Sequence, residues 1–416
     1  VATRSQEESS VPRTAQPRIL AIIMAGGRGE RLAPLTDFRT KPAVPFGGKY
    51  RIIDFVVSNF VNSDVMAIYA LVQYRSQSLI EHLRRAWRIG GRIQENFITV
   101  VPPQMKTGAM VYEGTADAVF QNMNLIHDFA PDLVAVFGAD HIYRMDIRQM
   151  VDFHLARKAQ ITVAALPVPL AAASSFGIIE ANDEDRIVGF DEKPKRPKPM
   201  PGDPTRAYVS MGNYLFAADA LEEVLNQDSM NKGGSHDFGR DIIPRIVGEH
   251  RVVAYNFLNN EIPDLQDYEE HGYWRDVGTI DAYWQAHMDL LGEQPRFDLR
   301  NVAWPIMTDS YNGPAASLVR SRLDAAMIGQ GSQIVDAEIT RSVIGRNVRI
   351  DAGCRIEDSI ILDGSIIGAG SRLQRVIADR FNVLPKNSVT GKTEGSLTVL
   401  PRGRSIGGRA VNVTRG

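Results

Sequence analysis

The hydrophobic pattern of the chain has two textures. Up to Leu291, short apolar runs stand between stretches of helical periodicity. Ile19–Met24 is apolar throughout, the pattern of a strand buried on both faces. Leu133–Phe137, Ile161–Val168, Ile187–Phe190, Tyr208–Phe216 and Val252–Asn256 read as further strands. Between them, Ser78–Trp87 sets Leu79, Ile80, Leu83 and Trp87 at helical spacing. Ala116–Phe129 and Ile147–Ala159 read likewise, the latter with Asp146 as a plausible N-cap. This alternation from Arg18 to Leu291 predicts an α/β layer on a mostly parallel sheet.

The texture changes near residue 295. Pro295–Ala326 carries Pro, Gly and Asn and reads as a connector. After it, apolar residues recur at a step of six: Ile344, Ile350, Ile356 and Leu362, with Ile361, Ile367 and Leu373 as a second register and Ile328 to Ile334 as the same step. Gly329, Gly345, Gly353, Gly364 and Gly368 punctuate these runs. Strand-sized repeats of this length mark a parallel β-helix, whose coils stack apolar residues on the coil below. An irregular β-sandwich is the alternative, and the two interleaved registers favour the helix. The tail Gly391–Gly416, rich in Gly and Arg, is assigned no structure.

Composition narrows the function. The 416 residues carry 47 Lys+Arg and 49 Asp+Glu, a net charge of −2, which argues against nonspecific binding to nucleic acid or anionic lipid as the main task. The single cysteine, Cys354, excludes disulfides within the chain and Cys-rich zinc sites. No apolar run approaches the roughly 18 residues of a membrane span. Val1–Arg18 is polar and the first apolar run ends in Gly-Gly-Arg, unlike a signal peptide, so a cytoplasmic protein is expected.

Locally the charge balance departs from the average. Arg28, Arg31, Arg39, Lys41, Lys49 and Arg51 face only Glu30 and Asp37 between residues 28 and 51. Gly26-Gly27-Arg28-Gly29, directly after a buried strand, can cradle phosphate with free backbone N–H groups. It is not a Rossmann fingerprint, because Leu32 stands where the third glycine belongs, nor is there a Walker A motif, because Lys386 stands five residues before Gly391. A solvated basic face is the alternative; the buried strand feeding this segment favours an anionic ligand. Asp140 follows the strand Leu133–Phe137 at its C-terminal end, where ligands of open α/β sheets sit. Asp276 precedes the helical run Ile280–Leu291 and reads equally as a turn or N-cap residue. Opposite a polyphosphate, these two carboxylates suit one Mg²⁺, which prefers oxygen ligands.

Eight segments in order carry a wider resemblance: Ala25–Leu32, Lys41-Pro42-Ala43-Val44, Phe46–Phe55, Tyr112–Val119, Ala139-Asp140-His141-Ile142-Tyr143, Asp191-Glu192-Lys193-Pro194, Ser235-His236-Asp237-Phe238-Gly239 and Tyr273–Trp284. Together they resemble the bacterial glucose-1-phosphate adenylyltransferases. The glycine loop alone marks the broader sugar-1-phosphate nucleotidyltransferases; Phe46–Phe55 and Tyr273–Trp284 narrow the resemblance. It implies a Rossmann-like nucleotidyltransferase domain on a mostly parallel mixed sheet, followed by a left-handed parallel β-helix. The corresponding division is 1–14 disordered tail, 15–294 catalytic domain, 295–327 linker, 328–391 β-helix and 392–416 C-terminal tail.

The implied reaction is ATP plus glucose 1-phosphate giving ADP-glucose and diphosphate, for glycogen synthesis, by a homotetramer under metabolite control. Arg28, Lys41 and Asp140 are implied catalytic residues. Ala25, Gly26, Gly27, Arg28, Lys41, Gln73, Gly114 and Thr115 are implied on ATP; Tyr112, Gly177, Glu192, Lys193 and Ser210 on glucose 1-phosphate; Asp140 and Asp276 on Mg²⁺; Arg39 and Arg51 on an effector anion. Without the resemblance, Glu192-Lys193 reads as a surface ion pair at a strand end. Departures from the family pattern include Ala139 before Asp140, Asn213 at a commonly apolar position, Phe38 where the enteric type has an activator-binding lysine, and Pro45 and Asp128 in place of a histidine and an arginine of its nucleotide site. An effector profile unlike the enteric one is therefore expected. Three rival readings are another nucleotide or sugar on the same fold, a β-helix acyltransferase and a non-catalytic regulatory subunit. The second is disfavoured because all eight histidines lie at or before His287, and the third because the implied catalytic charges are intact.

Overall fold

The computed structural model describes residues 16–87, 96–104, 111–200 and 202–403, with the backbone of 405–406 and 409–410. The expected tail 1–14 lies outside the described residues. Its main sheet runs in the order Ile187–Glu192, Gly177–Ala181, Arg206–Ala217, Leu133–Gly138, Ile19–Met24, Ala67–Leu71, Phe97–Val101, with Ile161–Pro169 and Val252–Asn256 branching from Arg206–Ala217. Ile19–Met24 sits between two parallel neighbours, Leu133–Gly138 and Ala67–Leu71, which explains its unbroken apolar sequence. Arg206–Ala217 runs antiparallel to each of its neighbours, so the sheet is mixed. Helices cover both faces of the sheet and enclose two apolar clusters, one around Ala21, Ile23 and Phe137, the other around Leu20, Ile22 and Val136.

The helical run Ala116–Phe129 is interrupted, and Ile147–Ala159 ends early. Ala116–Phe129 is broken into Thr115–Phe120 and Met123–Phe129. Asn122 breaks it: its side-chain amide donates to the Ala118 carbonyl at 2.8 Å and to the Tyr112 hydroxyl at 3.0 Å, and its backbone leaves the helical region. The helix Ile147–Ala156 starts at Asp146, which accepts from the Arg148 amide, and stops before Lys158, whose φ is +48°.

The C-terminal part is built from three parallel sheets of five strands each, consistent with a left-handed β-helix. Ile334 pairs with Ile350, Ile350 with Ile367 and Ile367 with Leu384, so a coil takes 16 or 17 residues rather than eighteen. Each turn thus contains at least one step of five, and the six-residue register slips by a position per coil. That slip produces the two interleaved registers. Ile344 stacks on Ile361 inside the helix, whereas Leu362 belongs to a different cluster. The strands reach further than the repeat pattern. Ser317–Val319 and Arg322–Asp324 form a first coil within the expected linker, and Thr398–Leu400 pairs with Val376–Ala378 in the expected tail. The first coil escapes notice because Leu318, Val319 and Leu323 are 46%, 41% and 41% exposed and keep no strict step.

A third apolar cluster joins the two parts: Phe46, Phe55, Tyr283 and Phe297 pack with Ile360, Leu362 and Ile377. Burying each of those β-helix side chains is worth about 1.5–3 kcal/mol. Trp284 donates from Nε1 to the Asp358 carbonyl at 2.7 Å across the same contact. Arg39 crosses it as well, its guanidinium 2.6 Å from Asp379 and both side chains buried.

Candidate active site

The loop after Ile19–Met24 and the C-terminal ends of its neighbouring strands open onto a cavity of about 830 Å³. Gly26, Gly27, Arg28, Lys41, Gln73, Tyr112, Gly114, Thr115 and Asp140 line it. A second cavity of about 290 Å³ is lined by Gly177, Glu192, Lys193, Ser210, Tyr214, Trp274 and Asp276. The two share Met24, Arg31, Thr115, Gly138, Asp140 and Asp237, so they are adjoining chambers meeting at the end of the strand Leu133–Gly138.

At that junction Lys41 lies between two carboxylates, its Nζ 2.9 Å from Asp140 Oδ2 and 2.8 Å from Asp276 Oδ1. Its position is fixed by the short helical turn Lys41–Ala43, with Pro42 inside the first turn. Asp276 is delivered by the strand Trp274–Asp276, which pairs with His141–Tyr143 and so holds Asp276 opposite His141. Asp276 is not the cap of the following helix; Thr279 is, accepting from the Ala282 amide. Burial works against the charge on Lys41, but Asp140 and Asp276 outweigh it and raise its pKa. Burial likewise opposes ionisation of Asp140, yet Lys41 and His141 hold its carboxyl well below the usual carboxylate range. One ligand atom each from Asp140, His141 and Asp276 lies within 4.8 Å of the others. Two carboxylates so placed are a donor set that fits a divalent cation of oxygen preference.

Around this centre the expected residues divide. Arg28 reaches the larger cavity but rests on the Tyr74 ring, 4.5 Å from its centroid, with Glu30 3.6 Å away. Ala25 does not line the cavity: it is buried, and its amide donates to the Leu71 carbonyl at 2.9 Å. Gln73 holds the opposite rim by two bonds to the Tyr112 backbone, at 3.3 and 3.2 Å. Tyr112 lines the larger chamber, not the smaller one expected for it, and its hydroxyl is occupied by Asn122. In the smaller chamber, a Cβ on Gly177 would fall 2.4 Å from Phe190 and 2.9 Å from Glu192 Oε2, so only glycine leaves room for that carboxylate. Lys193 has φ +48° and pairs with Glu192 at 2.6 Å. The ion pair exists as the plain reading had it, and it also lines the chamber. Ser210 Oγ accepts from the Gly212 amide at 3.2 Å.

The two effector arginines are differently placed. Arg39 is spent on Asp379 in the contact between the two parts, so the expectation that it binds a free anion meets a committed group. Arg51 donates to the Ala43 carbonyl at 2.5 Å, and burial first, then nearby Arg380, lowers its pKa to about 10. Phe38 is 60% exposed beside Arg402. Asn213, fully buried, donates to the Tyr143 hydroxyl at 3.1 Å, which gives its amide a partner inside the core.

Arg31 and Asp237 line both chambers, yet from the sequence Arg31 had only a place in the basic cluster and Asp237 no role. Both stand inside quoted motifs, but only the fold brings residues 31 and 237 to one wall. Trp274 and His141 also line the smaller chamber, where Trp274 Nε1 and His141 Nδ1 are buried without a hydrogen-bond partner.

The sequence matches a model described as nucleotidyl transferase over residues 20–293. The chain belongs to the nucleotidyl transferase family. A second model, described as GlmU-like, C-terminal hexapeptide, matches residues 315–396, which takes in the first coil. A glucose-1-phosphate adenylyltransferase of Thermodesulfovibrio yellowstonii is 52% identical over 376 residues, covering 90% of this chain and 91% of that protein. The proteins so named from Vibrio vulnificus and Anaeromyxobacter sp. are 45% and 43% identical, each covering 94% of this chain and 99% of their own length. Both chambers are lined by residues within the stretch that the nucleotidyl transferase model matches. No described helix is long and apolar enough to cross a membrane.

Proposed function

We propose that this nucleotidyl transferase moves the adenylyl group of ATP to α-D-glucose 1-phosphate, forming ADP-glucose and diphosphate. The observation that carries the reading is the meeting of the two chambers at Lys41, Asp140 and Asp276. Relatives 43–52% identical over most of the chain, named for this reaction, supply the nucleotide and the sugar. ATP takes the larger chamber, its phosphates along Gly26, Gly27 and Arg28 and its base side near Gln73, Gly114 and Thr115. Glucose 1-phosphate takes the smaller one, its phosphate toward Lys193 and its hydroxyls toward Glu192, Gly177 and Ser210.

The nucleophile is the sugar phosphate itself, mostly dianionic at neutral pH because its second pKa lies near 6. No side chain has to deprotonate it, and catalysis is positioning plus electrostatics. Lys41 neutralises phosphate charge near the reacting centre, and Arg28 leaves Tyr74 to meet the departing diphosphate. Asp140 and Asp276 would hold Mg²⁺, which supplies charge neutralisation on the phosphate oxygens when bound. The protein works in the cytoplasm as a homotetramer in glycogen synthesis. Metabolite effectors bind as anions near Arg51, with Arg39 contributing only if its bond to Asp379 opens.

The test is a coupled assay of diphosphate release by the purified chain, with each nucleoside triphosphate against glucose 1-phosphate, and with fructose 1,6-bisphosphate, fructose 6-phosphate, pyruvate and AMP added in turn. ATP is expected to be preferred strongly. Preference for UTP or dTTP would replace the reading by a uridylyl- or thymidylyltransferase.

A further inference from the structure

The segment 235–239 has been given no task, yet it borders both chambers. Asp237 lines each of them, and Phe238 and Gly239 line the smaller. The same segment is fastened to the rim of the larger chamber. A Cβ on Gly114 would lie 2.2 Å from the carbonyl oxygens of both Ser235 and His236, so the two backbones touch where only glycine fits. The His236 carbonyl accepts from the amides of Ala116 at 2.8 Å and Asp117 at 3.3 Å, serving the open N–H groups of the helix Thr115–Phe120. Thr115 Oγ1 donates to Asp237 Oδ2 and accepts from the Phe238 amide, both at 3.0 Å.

His236 ties this assembly to the body of the domain. Its φ is +50°, outside the ordinary range of a non-glycine residue. Nδ1 lies 2.8 Å from Asp228 Oδ2, on the helix Ala218–Ser229, and Nε2 lies 3.6 Å from Glu113 Oε2 on the rim. Asp228 is 2% exposed and has Arg245 3.8 Å away on its other oxygen. Asp117 also acts on the ring, and Asp241 holds the far side of the segment through Ser235 Oγ and the Asp237 amide.

We propose that the His236 imidazolium is a positioning residue for the nucleotide: it draws Glu113 and the Gly114 rim onto buried Asp228 and, through Asp237, sets the two chambers relative to each other. It touches no reacting atom. The assignment rests on the larger chamber being the ATP site. The bond to Asp228 raises the imidazole pKa, against a smaller opposing effect of burial. The clamp is therefore complete below that pKa and loosens as pH rises through it, when the ring can keep Asp228 but no longer attracts Glu113 as a cation.

Two measurements on the full chain test this, each in wild type, His236→Gln and Glu113→Gln. The first is the KM for ATP and kcat from pH 6 to 9. The wild-type KM is expected to rise roughly threefold to fivefold as pH increases, the scale of one partly exposed ion pair. Neither variant shows that rise, and kcat moves much less. The second is amide hydrogen exchange of residues 111–120 and 235–239 without any nucleotide. Protection of both segments is expected to fall together with rising pH in wild type, and to be low and flat in His236→Gln. If exchange is the same in wild type and His236→Gln, the proposal is overturned. If wild type and His236→Gln share one KM profile, the nucleotide role is overturned. If exchange responds as expected and the pH-dependent rise appears in the KM for glucose 1-phosphate, measured in the same assays, in place of that for ATP, the clamp stands and the assignment of the larger chamber to ATP falls.

Discussion

Lys41 is counter-ion to Asp140 and Asp276 at 2.9 and 2.8 Å, and the proposed reaction asks it to serve phosphate as well. Lys41 keeps the Asp140 carboxylate ionised in a partly desolvated junction, against the opposing effect of its burial. Asp140→Asn should leave the fold intact and lower kcat by about 10²–10³-fold, the scale of losing one preorganised electrostatic partner. Near-normal turnover in steady-state kinetics would remove Asp140 from the site. Lys193→Ala should raise the KM for glucose 1-phosphate by about tenfold or more, as for a lost charge-assisted hydrogen bond, with the KM for ATP little changed. A rise confined to ATP would reverse the assignment of the chambers. Arg28 and Asp140 stood out in the chain because each follows closely on an apolar run, whereas Asp237 had no such signal. That Tyr112 lines the larger chamber with its hydroxyl on Asn122 was not legible, since no periodicity encodes that contact between residues ten positions apart.

Elements set where these side chains stand. The unbroken run Ile19–Met24 was readable as a strand because it is buried on both faces, and its C-terminal end is where the glycine loop opens. The split at Asn122 was not, since apolar spacing continues across it while the side chain rewires the backbone. The helix Ile280–Met288 shows how an element couples to pH. His287 donates from Nδ1 to the Tyr283 carbonyl at 2.9 Å and accepts at Nε2 from the Gly47 amide at 3.2 Å, an arrangement only the neutral ring can make. Burial lowers its pKa to about 4, and that of His154 also to about 4. The unfolded chain binds those protons from about pH 6.5 downward while the folded chain does not. Stability should therefore be complete near neutral pH and fall as pH is lowered from about 6.5 toward 4, by at most ~1.4 kcal/mol per unit for each histidine. Urea midpoints at pH 7, 6 and 5 check this, and a midpoint that stays level would contradict it.

At the scale of the molecule, the β-helix is fastened to the nucleotidyl transferase domain by an apolar cluster and one buried ion pair. The pair was invisible in the sequence, since Arg39 and Asp379 lie 340 positions apart and each alone reads as an ordinary surface charge. The β-helix itself was visible because its stacking repeats in the chain, and only its irregular first and last coils were missed. Asp379→Ala should destabilise the chain by about 3–5 kcal/mol, because it strands a buried guanidinium. Replacing both, Arg39→Met with Asp379→Leu, should recover most of the loss. Equal denaturation midpoints for wild type and Asp379→Ala would show that the pair does not hold the two parts together.

The direct trial of the central idea is a crystal structure of the chain with a non-hydrolysable ATP analogue and glucose 1-phosphate both bound. The nucleotide is expected in the chamber of Gly26, Gln73 and Gly114, the sugar in that of Gly177 and Glu192, with the α-phosphorus and the sugar phosphate facing each other beside Lys41 and Asp140. Either ligand seated instead in the cavity of Asp264, Glu269 and Arg300, away from that junction, would contradict the account.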